Sequence, residues 1–279
     1  MPVRSILRLL GERRRVLLAG VGLVVVVGLA ARVGANWWRE WRYQAAAMEI
    51  VGLIELPPGA DFHTKVDAVR TFINDHSRHE ADAEFYADWR TPYVMAEKVV
   101  AYARGIRSAP AHMECSTRTA LASAVLRGMG FATRRIDIYD AATLNSHSFL
   151  EVRNPDTGSW EVQDPDYDIF WRRASSAERV STLEVAGRLE DVVPCGRTGC
   201  GWSISSREGI QAKDVRVYLD FIVVRERTPS RRFTMHTVRA DPAKVYSYRS
   251  RTGTFCEVLA KNCRDGFFPI GARDRVENP

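Results

Sequence analysis

Cys115, His147 and Asp164 occur in that order, and their neighbours give each a plausible place to act from. Cys115 opens the small-residue stretch Cys115-Ser-Thr-Arg-Thr-Ala-Leu-Ala-Ser-Ala-Val-Leu-Arg-Gly-Met129, which reads as a helix. His147 begins the strand-like His147-Ser-Phe-Leu-Glu-Val-Arg153, and Asp164 ends Ser159-Trp-Glu-Val-Gln-Asp164. A thiol, an imidazole and a carboxylate are the parts of an activated nucleophile. A lone cysteine is more often a small buried hydrophobe. A cysteine at a helix start is different, because free N–H groups and the positive end of the helix dipole favour thiolate. His147 would take or hold the thiol proton and then protonate a leaving amine, while Asp164 would orient the ring. The bland alternatives are a hydrogen-bonded core histidine and a turn aspartate before Pro165, with Asp166 and Asp168 as substitutes if the strand register slips. The N–H of Cys115 is the expected oxyanion donor. Trp89 and Tyr102 are candidate side-chain donors, and Trp160 and Phe149 could line a substrate groove or simply fill the core. Glu114 directly precedes the thiol, and a neighbouring carboxylate opposes thiolate formation.

The elements that must position these groups follow from pattern. Asp61 to Asn74 is amphipathic, with Phe62, Val66, Val69 and Ile73 on one face and Asp61 at the N-cap. Tyr93 to Tyr102 reads as a second helix, 104–114 as a loop, and Arg134 to Tyr139 as a strand. Asn154-Pro-Asp-Thr-Gly158 is a turn signal that folds the His147 and Asp164 segments into an antiparallel hairpin. A loop over 154–157 sets Arg153 opposite Gly158 and His147 opposite Asp164; one more loop residue sets His147 opposite Pro165. Leu150 and Val152 then pack on the helix behind. A polar helical stretch is expected from Trp171 to about Asp191, and further strands around 215–224 and 232–238.

The 279 residues carry a net charge of +6, but the charge is local. Residues 1–42 hold eight arginines and two glutamates; 32 basic and 32 acidic residues remain for 43–279. A neutral body lacks the footprint of a nucleic-acid binder, so no nucleic-acid partner is expected. Val16 to Ala31 is unbroken apolar sequence, extended by Val33-Gly-Ala35, with five arginines before it and three after. With Arg32 snorkelling it approaches the roughly 20 residues that cross a bilayer. The bias places the N-terminus in the cytoplasm. Trp37, Trp38, Trp41 and Tyr43 follow as interfacial aromatics would. A cleaved signal peptide is the competing reading. Either way the body lies outside the cytoplasm. There, Cys195, Cys200, Cys256 and Cys263 are expected to form two disulfides, local pairing being the simplest of three connectivities and a four-cysteine zinc site the alternative. Cys115 is left as the free thiol. His112-x-x-Cys115 with His147 and Asp164 is a weak zinc pattern; no metal or cofactor is expected.

As a set, these motifs resemble the transglutaminase-like superfamily of papain-type cysteine enzymes over about residues 61–171. The resemblance rests on Cys115 with Ala120-Leu121 and Leu126-Arg127-Gly-Met-Gly130, on Phe131-Ala-Thr-Arg134 and Ile138-Tyr139, on His147-Ser-Phe-Leu-Glu-Val152 and on Trp160-Glu-Val-Gln-Asp164-Pro165. The chain departs from it at Met113, where the family often has glycine. The resemblance implies an α+β fold in which a helix carrying the cysteine packs on an antiparallel sheet carrying histidine and aspartate, with Cys115, His147 and Asp164 as the triad. The expected layout is a basic cytoplasmic tail (1–15), a transmembrane anchor (16–35), a stalk (36–60), the catalytic domain (61–190) and a β-rich, cysteine-containing extension (191–279). The expected activity is that of a single-pass inner-membrane, extracytoplasmic cysteine hydrolase on a peptide or amide, with the cell envelope as a source of substrates. Amine-accepting cross-linking and a non-catalytic envelope-binding module are the alternatives.

Overall fold

Proline is absent between Pro2 and Pro57, so nothing breaks a helix there. In the computed structural model Val3–Leu53 is one helix, α1. The structure describes residues 3–139, 146–187, 189–205, 215, 218–219, 221–225, 233–237 and 245–248, with the side chains of α1 described from Val25. Residues 16–24 of the expected anchor thus lie in the part of α1 without described side chains. Among the described residues no helix is long and apolar enough to cross a membrane. Cys256 and Cys263 also lie outside the described residues.

After α1 come α2 (Phe62–Asp75), β1 (Ser77–His79), α3 (Ala83–Asp88), α4 (Pro92–Ala103), β2 (Ala111–Met113) and α5 (Cys115–Gly128). Strands β3 (Thr133–Tyr139), β4 (Ser146–Arg153), β5 (Trp160–Asp164) and β6 (Ile169–Arg173) follow, then α6 (Thr182–Gly187), β7 (Val192–Gly196), β8 (Gly199–Cys200), β9 (Phe221–Arg225), β10 (Phe233–Thr237) and β11 (Val245–Tyr248). The fold is α+β. Strands β3 to β11 form one sheet in the order β11-β10-β9-β3-β4-β5-β6-β7-β8, antiparallel throughout, while β1 and β2 pair in parallel beside it.

The helices share one core with the sheet. Phe62, Val66, Val69 and Ile73 of α2, Met95, Ala96 and Val99 of α4, and Leu121, Ala124 and Val125 of α5 meet Leu150 and Val152 of β4. A second cluster, including Ile136, Ile138, Phe149, Val162 and Trp171, packs under Val180, Val185, Val192 and Ile222. Helix α2 starts where Asp61 Oδ1 accepts the Thr64 N–H at 2.7 Å. Helix α5 stops at Gly130, whose φ of +89° lets Phe131 N–H return to Leu126 O at 3.0 Å.

Three expectations are corrected. The segment read as a stalk is partly core: Ala46, Ala47 and Ile50 are buried against α4 and α5. The stretch after Trp171 is not a long polar helix. It is the end of β6, which pairs with β7, then a loop, and then the six-residue α6. Its apolar residues Val180 and Val185 cap the second core. The β4–β5 hairpin is also wider than expected. Arg153 pairs with Trp160, so the connection is two residues longer than the shorter register allows. Asn154 holds that wider turn: Oδ1 accepts Asp156 N–H at 2.9 Å and Nδ2 donates to Glu161 Oε1 at 2.7 Å.

Candidate active site

A two-residue slip preserves the face of every side chain. His147 is therefore level with Asp166 rather than Asp164, yet Asp164 still reaches it: His147 Nε2 and Asp164 Oδ2 are 2.6 Å apart, both buried. Asp164 ends β5 in a tight turn, where its Oδ1 accepts the N–H of Asp166 at 3.0 Å and of Tyr167 at 3.3 Å. With one oxygen bound to backbone and the other to the ring, the carboxylate has a single orientation.

Cys115 is the first residue of α5, so its N–H has no acceptor within the helix. The Thr117 hydroxyl accepts the Glu114 N–H at 3.0 Å and fixes the chain entering α5. Thr119, one turn on, donates to Ser148 O at 2.9 Å, which ties the helix to β4 beside His147. Cys115 is half-buried and not in a disulfide. Burial works against a charged His147. The Asp164 carboxylate and the hydrogen bond and charge of Cys115 outweigh it, and they hold the ring's pKa well above 6.5. Asp164 occupies Nε2, which leaves Nδ1 for the thiol. The structure thus brings Cys115, His147 and Asp164 together as the sequence predicts.

The other proposed residues are placed differently. Phe149 is a core side chain, 5.8 Å from the His147 ring and stacked toward Trp171 at 6.5 Å. Trp160 starts the strand that Asp164 ends, about 13 Å away at strand rise, with the Arg134 guanidinium 4.3 Å over its ring. Trp89 is exposed at the end of α3, and Tyr102 meets His76 edge-on at 6.0 Å. His112 Nδ1 is 3.0 Å from Asp82 Oδ2. Cys195 and Cys200 form a disulfide, one of the two expected.

Sequence reasoning missed the layer beneath the triad. Asp166 Oδ1 accepts from His79 Nδ1 at 2.8 Å and from Arg118 Nη1 at 3.0 Å. Arg118 is fully buried and also donates to Ser77 Oγ at 2.9 Å and Ser77 O at 2.8 Å. Burial opposes the Asp166 charge, but His79, Arg118 and His147 outweigh it and lower its pKa. From α2, Asn74 Nδ2 donates to Pro165 O (3.1 Å) and Asp166 O (3.0 Å), and Arg70 Nε donates to Asp168 Oδ1 (3.0 Å). Asp168, at φ +55°, is also 2.5 Å from Arg197 Nε, within the disulfide-closed loop. Gly196 approaches it so closely that an added Cβ would lie 2.9 Å from Asp168 O. An arginine in the otherwise small and apolar face of α5 was the one signal of this network.

No family model matches the chain, and no curated protein matches it. Among solved structures it is similar to a chain of the crystal structure of Rad4-Rad23 bound to a 6-4 photoproduct UV lesion. The identity is 12%, the TM-score 0.34, and the match covers 85% of this chain and 52% of that one. The chain therefore spans about half the length of that neighbour, and a likeness this slight carries no argument about either fold or function.

Proposed function

We propose that the chain is a membrane-anchored, extracytoplasmic cysteine hydrolase of transglutaminase-like fold that cleaves a peptide or amide bond through Cys115, His147 and Asp164. The observation that carries this reading is the buried 2.6 Å contact of His147 with Asp164, on a ring whose positive charge Cys115, at a helix start, also supports. A ring held positive by Asp164 favours the thiolate form of its partner. The Cys115 thiolate attacks the carbonyl carbon, and the oxyanion meets the Cys115 N–H. The C–N bond breaks as His147 gives its proton to the leaving amine, leaving a thioester. Water, deprotonated by His147, then attacks the thioester, releasing a carboxylic acid and the thiol.

Two features support the anchor and compartment. The apolar run Val16 to Ala31 includes Val25, Val26, Val27 and Leu29, and Val33 follows it, all with side chains exposed on α1, and the Cys195–Cys200 disulfide fits an oxidising space. The N-terminus is then cytoplasmic and the body periplasmic, where envelope peptides are the substrate class to screen.

The test uses the full chain in detergent. An electrophilic thiol probe should label the wild type, and Cys115→Ser should lose both labelling and turnover of a peptide library. Turnover retained by Cys115→Ser would end the thiol mechanism. A stable adduct formed with an added primary amine would redirect the reading to cross-linking.

A further inference from the structure

Helix α4 runs parallel to α1, not against it. Trp38 meets Tyr93 edge-on at 5.7 Å, Arg42 Nε donates to Glu97 Oε1 at 2.6 Å, and Arg104 Nη2 is 2.9 Å from Glu49 Oε1. Each pair is 55 residues apart, so the two helices stay in step along the whole contact. Pro92, the first residue of α4, is thus level with Trp37. The residues that lead into α4 therefore come to the level of α1 just past Ala35, where the apolar run ends.

We propose that this α3–α4 corner, Trp89 and Arg90, lies in the headgroup layer of a phospholipid bilayer beside Trp37, Trp38 and Trp41. The inference rests on the anchoring reading above and adds a second contact, made by the folded body itself. Three observations carry it. The first is level. Trp37 follows Ala35, the end of the apolar run, by two residues, or about 3 Å of helix rise, within a headgroup layer some 5–8 Å deep. The second is composition. Trp89 is 47% exposed, and Trp37 and Trp41 are 69% and 57% exposed, surface aromatics of the type that favours the membrane–water interface. The Arg90 guanidinium lies 4.8 Å over the Trp89 ring and, with exposed Arg39, offers cations to lipid phosphates. The third is rigidity. Because α1 runs unbroken from the apolar run to buried Ala46, Ala47 and Ile50, the body has no free stalk on which to swing away. The segment that forms the corner begins near the site: Asp82 caps α3 and contacts His112, three residues before Cys115. A docked corner would hold the thiol at a fixed height above the bilayer.

The test reconstitutes the full chain in vesicles of phosphatidylethanolamine and phosphatidylglycerol and measures tryptophan quenching by dibrominated lipid in wild type and Trp89→Phe. If Trp89 is interfacial, removing it lowers the lipid-quenched emission by about a quarter, as one of four interfacial tryptophans. If Trp89 faces water, its removal raises the quenched fraction, and the corner contact is overturned while the anchor stands. If the wild type shows no lipid quenching and fails to float with the vesicles, the anchor fails and the corner with it.

Discussion

Asp166 Oδ2 lies 4.0 Å from His147 Nδ1, on the side of the ring opposite Asp164. The imidazole therefore sits between two buried carboxylates, one bonded to it and one at ion-pair distance. Asp166 is itself neutralised by Arg118 and His79, so it supports the ring's charge without competing for its proton. The loop from Asp164 to Asp168 is the keystone of the site. It is held from α2 by Asn74 and Arg70, from α5 by Arg118, and from the β7–β8 loop by Arg197.

The raised pKa of His147 makes stability depend on pH. A group whose folded pKa lies above its unfolded value contributes fully below the unfolded value, near 6.5, and loses that contribution as pH rises through the folded pKa. Urea unfolding of the full chain in detergent should show the wild-type midpoint falling as pH climbs above about 6.5, with a shallower slope in His147→Gln. Equal slopes would mean that the ring is not held positive. Asp164→Asn removes the main support of the charge and should lower kcat/KM by roughly 10²–10⁴-fold.

Arg118 is the most consequential residue outside the triad. Its guanidinium donates to Ser77 and to Asp166, and it has no exposed surface. Arg118→Met would remove one of the two side chains that hydrogen-bond the buried Asp166 carboxylate, at up to about 3–5 kcal/mol. Arg118→Met with Asp166→Asn should recover part of that loss, because the uncompensated charge is gone. Denaturant midpoints of the two variants decide this; a double variant less stable than the single one would contradict the account.

How much of this was legible in the sequence depends on range. Helices α2 and α5 and strands β3 to β5 declare themselves by period and capping, since Phe62, Val66, Val69 and Ile73 or Leu150 and Val152 need only local alternation to be read. The placement of Cys115, His147 and Asp164 was legible for the same reason: Cys115 marks a helix start, and the hairpin confines His147 and Asp164 to one neighbourhood. The register was not, because it turns on the Asn154 side chain bonding backward and forward across the turn. The Arg118 layer was illegible because its partners are 41 and 48 residues away, on β1 and beyond β5. The burial of Ala46 and Ile50 was hidden by a weakly patterned segment that reads equally well as a spacer.

The Cys195–Cys200 disulfide should act on the site through Arg197. It closes a loop with a sequence separation of 5, and Arg197 in that loop reaches Asp75 at 2.8 Å and Asp168 at 2.5 Å. Opening so short a loop costs about 2 kcal/mol by chain entropy. It would also free Arg197 and loosen Asp168. Cys195→Ser/Cys200→Ser should therefore lower both the thermal midpoint and the rate of Cys115 labelling. In Arg197→Met the serine pair should lower the midpoint but leave the labelling rate nearly unchanged. A full additional loss of labelling would show that the disulfide acts by another route.

Glu114 sets the final constraint on the thiol. Burial, aided by Asp166 and opposed by His79, raises its pKa, so it takes up a proton more readily than an ordinary glutamate. Once ionised, it places a negative charge one residue from Cys115 and works against the thiolate. Glu114→Gln keeps the shape and removes that charge. Its alkylation rate at neutral pH should exceed the wild-type rate by up to about tenfold, the factor that about 1.4 kcal/mol of removed charge repulsion corresponds to. The advantage should shrink as pH falls through the Glu114 pKa, because the wild-type carboxyl becomes neutral as well. A slower Glu114→Gln protein would mean that the carboxylate helps the thiol instead, as a base or by holding His79 in place.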